Sequence, residues 1–357
     1  MTTDIFSPLK AGTIDLKNRI VMAPLTRSRA DGAGVPQPIA AEYYSQRADA
    51  GLIITAATQI SYEGMGYVRT PGIHTSAQIT AWKGIVDAVH AKGGRISVQL
   101  WHVGRIASHL NRPVDAGIVA PSAVKAPGKI FTDANGMVDH DQPHALEINE
   151  INGITEQFAQ AAKTAIAIGF DGVEVHSANG YLLHQFLSSN VNQRSDQYGG
   201  SIENRARFPL EVVKAVADAI GASKVGVRVS PGHTFNGIEE NDITSLYGYY
   251  LPALDKLGLA YLHVMRPTAN GFTEDPVTMA RALYKGAIVA AGNYTPEDAA
   301  ALVASGRVDA VAFGRAFIAN PDLVERIRSG APLNEPEVAT FYTPGPKGYI
   351  DYPRLVA

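Results

Sequence analysis

Cysteine is absent from all 357 residues. That absence excludes disulfides, thiolate-ligated metal sites, iron–sulfur clusters and cysteine nucleophiles together. There is also no basic excess: 31 Lys and Arg stand against 34 Asp and Glu, a formal charge of −3. Proteins that hold nucleic acid or anionic membrane surfaces carry a positive surplus, and this chain has none. Long apolar runs are missing too. The most apolar stretches, Ile20 to Leu25 and Ala287 to Ala291, are far shorter than the roughly 20 residues of a membrane helix. The opening Met1-Thr2-Thr3-Asp4 lacks the basic region and apolar stretch of a secretory signal. A cytoplasmic protein with neither membrane nor nucleic-acid partners is expected. With 46% apolar and 18% charged residues, the composition fits neither a disordered chain nor a coiled coil.

What is present is a repeating alternation. Short apolar runs at Ile20–Ala23, Leu52–Ala56, Ile96–Leu100, Gly172–His176, Val225–Ser230, Tyr261–Met265, Ala287–Ala291 and Ala310–Phe313 read as strands buried on both faces. Amphipathic segments lie between them. Ile154, Phe158, Ala161, Ala165 and Ile168 step by four and three, with Gly169 as the stop. A second helix is expected from Glu203 to Ile220, with Leu210, Val213, Ala217 and Ile220 on its apolar face. Thr295, Pro296 and Asp298 form a helix-start signal. In the segment Asp242–Leu257, Pro252 predicts a kink or break. Eight strand–helix units with no Pro-, Gly- or Ser-rich linker point to an α/β chain, a single-domain (β/α)₈ TIM barrel spanning 1–357. Phe6 to Leu16 reads as an N-terminal hairpin closing one end, and the Pro- and Gly-rich stretch after the third strand as an excursion over the other.

Barrel enzymes work at the C-terminal ends of their strands. Those ends carry Pro24, Leu25, Thr26, Ala57, Gln99, Trp101, His176, Asn179, Arg228, Gly292, Asn293, Gly314 and Arg315. Gly292-Asn293 and Gly314-Arg315 end the last two strands, each ahead of a helix start, and read as a phosphate cradle. Metal ligation is not expected, since Pro143 between His140 and His144 spoils the helical ligand spacing. A phosphate site with Thr26, Gln99 and Arg228 suits a flavin mononucleotide, the fixed charge of Arg228 stabilising an anionic reduced ring. A barrel lyase or isomerase acting on a phosphorylated metabolite would use the same turns, but would want a Lys or carboxylate pair at the strand ends. A flavin-storage barrel would not need His176, Asn179 and Tyr181 together.

Several long blocks in barrel order carry a resemblance: Asn18 through Arg27, Val98 through Arg105, Val173 through Leu187, Asp196 through Arg205, and Ala312-Phe313-Gly314-Arg315 followed by Asn320-Pro321-Asp322-Leu323. Over essentially its whole length the chain resembles the Old Yellow Enzyme family of FMN-dependent ene reductases. It is most similar to the N-ethylmaleimide, pentaerythritol tetranitrate and morphinone reductase branch. The resemblance implies FMN held by Pro24, Leu25, Thr26, Ala57, Gln99, Arg228, Gly292, Asn293, Gly314 and Arg315, with NADPH or NADH as hydride donor. It further implies that His176 and Asn179 hold the carbonyl of an electron-poor alkene, that hydride reaches the β carbon, and that Tyr181 supplies the proton. Because donor and acceptor would stack over the same flavin face, an aromatic pocket is expected, with Tyr67, Trp101, Phe272 and Tyr342 as its walls. Tyr67 and Tyr342 match family positions, while the loop Thr268–Pro276 that carries Phe272 departs from the family. Nitroaromatics, nitrate esters or quinones are the alternative acceptors, and a monomer or small homo-oligomer is expected. Asn179 stands where several nitrate-ester reductases of this branch carry a second His, and Thr26 stands where another subgroup carries Cys.

Overall fold

The computed structural model describes residues 4–266 and 275–355. Its centre is a closed parallel barrel of β1 (Ile20–Met22), β2 (Leu52–Ile54), β3 (Ile96–Trp101), β4 (Gly172–Ser177), β5 (Val225–Val229), β6 (Tyr261–Met265), β7 (Ile288–Ala291) and β8 (Ala310–Phe313). The strands pair in chain order, β8 returns to β1, and a further pairing of β3 with β4 closes the ring. All eight expected strands are found, with ends shifted by a residue or two.

Side chains alternate along each strand. Ile20, Met22, Val98, Leu100, Val173 and Val175 belong to the large core shared with the helices. Val21, Leu52, Ile54, Val289, Ala310 and Ala312 form a second core, inside the barrel, with Ile14 and Leu16. The last two come from the expected N-terminal hairpin, where Leu9–Ala11 pairs antiparallel with Ile14–Leu16. It plugs the lower end, Thr13 N–H donating to the Ser223 carbonyl at 2.9 Å. Gly12 turns it at φ +59°, and a Cβ there would lie 2.1 Å from that same carbonyl oxygen.

The barrel helices are α1 (Ile39–Ser45), α2 (Ser76–Ala91), α3 (Ile148–Ala167), α4 (Ile202–Ile220), α5 (Ile243–Asp255), α6 (Pro276–Leu283), α7 (Pro296–Ala304) and α8 (Leu323–Ser329). Helix α7 starts as the sequence signals, with the Thr295 hydroxyl accepting from Asp298 N–H. Two expectations are corrected. Helix α5 continues without a break through Pro252; the proline costs it one intrahelical hydrogen bond, and the packing of its buried Leu246, Tyr247, Tyr250, Leu251 and Leu254 keeps it continuous. The buried face of α4 centres on Phe208, Val212, Val213 and Val216, while Leu210 and Ile220 are only partly covered.

After β3 the chain makes the expected excursion. Val119–Ala120 pairs parallel with His144–Ala145, and Lys129–Thr132 forms an antiparallel hairpin with Gly136–Asp139. Among the described residues, no helix is long and apolar enough to cross a membrane.

Candidate active site

The same alternation that fills the barrel with Val and Ala near its base brings polar residues inward near its top. Gln99 on β3 is in register with Glu174 on β4, and His176 is in register with Arg228 on β5, itself opposite His263 on β6. All five are at most 7% exposed. Gln99 Nε2 donates to Glu174 Oε1 at 2.7 Å, and Glu174 Oε2 lies 2.8 Å from His263 Nδ1.

Arg228 breaks this pattern of satisfied groups. Its Nη2 reaches only the thioether of Met265, at 3.4 Å, and its buried Nε has no partner among the described residues. A guanidinium normally fills its five donors with carboxylates, phosphates or carbonyls. Here a buried donor at the barrel top is left without an acceptor among the described residues.

Residues 176–181 are shaped by their own hydrogen bonds. Ala178 N–H donates to His176 Nδ1 at 3.3 Å, which leaves Nε2 as the protonated nitrogen. Burial, then the charge of Arg228, pushes the imidazole well below its ordinary range, so it is neutral. Asn179 takes a left-handed φ of +55°. Its N–H donates to Ser230 Oγ at 2.8 Å and its carbonyl accepts from Asn236 Nδ2 at 2.8 Å. Gly180 N–H donates to His184 Nδ1 at 3.0 Å, and the other nitrogen of that ring meets Glu240 at 3.0 Å. Tyr181 follows, its hydroxyl 3.3 Å from that of Tyr67. Burial lifts its pKa well above 10, so the phenol keeps its proton.

The aromatic residues expected at the site converge. Trp101 stacks on Tyr67 at 5.7 Å and meets the Tyr181 edge at 4.9 Å, while His176 packs edge-on to Tyr181 at 5.0 Å. Trp101 itself is 1% exposed and backs the other two. Over this cluster opens a cavity of about 1150 Å³ lined by Pro24, Leu25, Thr26, Tyr67, Tyr181, Arg315 and Tyr342. It exceeds the roughly 300–1,000 Å³ usual for small-ligand sites. Ala57, Gln99, His176 and Arg228 lie deeper, at the strand ends. Phe272 lies outside the described residues.

Beyond β7 and β8 the backbone is specialised. Gly292 has φ +134°, and a Cβ there would lie 2.7 Å from Arg266 Cβ; Asn293 follows at φ +48°. Gly314 directly precedes the short helix Arg315–Ala319. One expectation is modified: α7 begins three residues after Asn293, and Thr295 and Asp298 already cap it, leaving the turn itself as the donor-bearing element.

Parts of the site were not legible in the sequence. Phe131 and Met137 reach the cavity from the excursion hairpin, as does Phe235 from the loop after β5. Arg69, also lining the cavity, is paired with Asp133 of that hairpin. Arg27 and Arg29 are buried, with no carboxylate partner among the described residues; Arg27 Nε and Arg29 Nη1 both donate to the Phe341 carbonyl at 3.1 Å. They thereby fix the C-terminal segment that brings Tyr342 over the mouth. An arginine two residues beyond another at a strand end was the available signal, but it names no partner.

Residues 4–334 match the model of the NADH:flavin oxidoreductase / NADH oxidase family. The chain is 45% identical to a putative 12-oxophytodienoate reductase 11 of Oryza sativa subsp. japonica, over 99% of this chain and 98% of that protein. It is also 45% identical to a probable flavin mononucleotide-dependent alkene reductase of Leishmania infantum, over 98% and 97%. Morphinone reductase in complex with tetrahydroNAD superposes with a TM-score of 0.94 at 49% identity, covering 99% of this chain and 98% of that one. The chain belongs to the NADH:flavin oxidoreductase / NADH oxidase family, and it is an FMN-dependent oxidoreductase of the Old Yellow Enzyme type.

Proposed function

We propose that the protein is an ene reductase that takes hydride from NADPH or NADH and delivers it to the β carbon of an alkene conjugated to a carbonyl. The observation carrying this reading is the register pair of His176 and Arg228. One is a neutral imidazole with its Nε2 proton uncommitted, the other a buried cation lacking an anionic partner at hydrogen-bond distance among the described residues.

The residues present fit FMN. Arg228 and Gln99 would hold the polar pyrimidine edge, Thr26 a ring carbonyl, and Pro24, Leu25 and Ala57 the ring's length. The Gly292-Asn293 turn, Gly314 and the guanidinium of Arg315 would take the phosphate. When bound, FMN supplies two-electron hydride chemistry linking the nicotinamide to the acceptor.

The acceptor's oxygen is gripped by His176 Nε2–H and the Asn179 side-chain amide. Before substrate arrives the imidazole is oriented by Ala178 N–H, and the backbone that carries the Asn179 amide is held by Ser230 and Asn236. Negative charge growing on that oxygen meets positioned dipoles instead of water, which is how such donors accelerate reactions. The polarised double bond is then electron-poor at its β carbon. Tyr181, protonated at neutral pH, donates to the α carbon, with Tyr67 able to resupply the hydroxyl across 3.3 Å. Tyr342 and Tyr67 flank the alkene, and Trp101 stiffens that wall.

Purified protein tests the reading. It is expected to be yellow or to take up FMN, to bleach with NADPH without oxygen, and to recolour with N-ethylmaleimide or 2-cyclohexenone. A protein that binds no FMN, or that bleaches but is not recoloured by either alkene, contradicts it.

A further inference from the structure

We infer that Glu174, a wholly buried carboxylate inside the barrel, is a positioning and counter-charge residue for the pyrimidine edge of the cofactor. The inference rests on the proposed FMN site, and adds to it Glu174 and His263, which no step above uses.

The strand that carries His176 reads Gly-Val-Glu-Val-His-Ser over 172–177, and the two-residue period turns Glu174 into the barrel below His176. Glu174 and His263 are both 0% exposed. An ionised carboxylate can only accept hydrogen bonds. The 2.7 Å contact with Gln99 therefore has the amide nitrogen pointing down at Glu174, and the other amide atom, Oε1, is left as an acceptor on the remaining side. A free Gln could turn either face to a ligand; this one is held in a single orientation. The contact with His263 likewise puts the imidazole proton on Nδ1. His263 Nε2 is buried without a partner, consistent with a neutral ring that adds no charge.

Arg228 sits one strand over and two residues higher. Burial alone would raise the Glu174 carboxyl, but His263, Arg228 and Gln99 outweigh it and hold it ionised. Within this buried cluster, Arg228 is then a cation and Glu174 an anion. Glu174 thus offsets part of the positive field that Arg228 directs at a ligand, and so limits how strongly a negatively charged, reduced ring is favoured over the neutral oxidised one.

Three variants of the FMN-loaded protein test this, read by FMN dissociation constants and midpoint potential together with thermal stability. Glu174→Gln removes the charge while keeping the volume. It is expected to favour the reduced over the oxidised cofactor by about tenfold, which for a two-electron couple is an upward shift of about 30 mV. His263→Asn keeps a donor toward Glu174 and the carboxylate charge, and is expected to leave that ratio within about threefold of the parent. Glu174→Asp keeps the charge but withdraws it from Gln99, and is expected to weaken oxidised FMN about tenfold, the scale of one lost hydrogen bond. An unchanged or lowered potential in Glu174→Gln, an equal rise in His263→Asn, or unaltered FMN affinity in Glu174→Asp overturns the inference while leaving the FMN site intact. A parent protein that takes up no FMN overturns the proposed function itself.

Discussion

Tyr181→Phe separates the two halves of the proposed reaction, and the structure sets the size of the effect. The substitution keeps the ring's edge contacts with Trp101 at 4.9 Å and His176 at 5.0 Å. It removes one hydroxyl whose protein partner is Tyr67 at 3.3 Å. A hydrogen bond of that length contributes about 0.5–1 kcal/mol, so the melting temperature should fall by a few degrees at most. Catalysis should fall much further. General acids in this position supply about 10²–10⁴ in rate, and the Tyr67 phenol would have to reach across the 3.3 Å gap that the lost hydroxyl spanned. Anaerobic rapid mixing, following flavin absorbance, reads each half alone. Bleaching by NADPH should stay within about twofold, since no proton from Tyr181 is used there, while recolouring by 2-cyclohexenone should slow by about 10²–10⁴. Equal slowing of both halves, or none of either, would refute the role.

Three further outcomes are expected. His176→Ala should weaken a phenol ligand, whose oxygen imitates the charged acceptor oxygen, by about 10–100-fold for a lost charge-assisted hydrogen bond of roughly 1.5–3 kcal/mol; unchanged affinity in a spectral titration would argue against the oxygen grip. Gly292→Ala should weaken FMN by at least about tenfold, because φ +134° and the 2.7 Å approach to Arg266 impose strain of about 1–3 kcal/mol, and fluorescence titration of FMN measures it. Stability should decline as pH falls below about 6.5. Burial, reinforced by Arg112, pushes His102 down to about 3, so below 6.5 the unfolded chain binds a proton that the folded one refuses. By about pH 5 this one residue costs about 2 kcal/mol, and thermal melts from pH 7 to 5 that do not shift would contradict it.

The strands were readable because each is buried on both faces and so is apolar along its length, and because several intervals held a helix with its own start or stop signal. The residues at the strand ends were readable from barrel logic, since the C-terminal ends of parallel strands share one rim. Glu174 was not. A carboxylate within an apolar strand looks like an interruption until the barrel brings Gln99 against it from the neighbouring strand and His263 from two strands away. The same holds for the His184–Glu240 pair that fixes Gly180 across 56 positions of sequence, and for Arg27 and Arg29, which both reach the Phe341 carbonyl more than 300 residues away. Pro252 misled because its cost is local, one lost helical hydrogen bond and a carbonyl clash, while the buried face of Leu246, Tyr250, Leu251 and Leu254 holds the helix together from outside it.

The most direct test follows the hydride. NADPH carrying deuterium at its transferable position, supplied with 2-cyclohexenone in ordinary water, should yield cyclohexanone labelled at the carbon β to the carbonyl, with the α carbon taking its hydrogen from solvent. A label at the carbonyl carbon, with the alkene intact as an allylic alcohol, would mean that His176 and Asn179 do not hold the acceptor in the manner proposed.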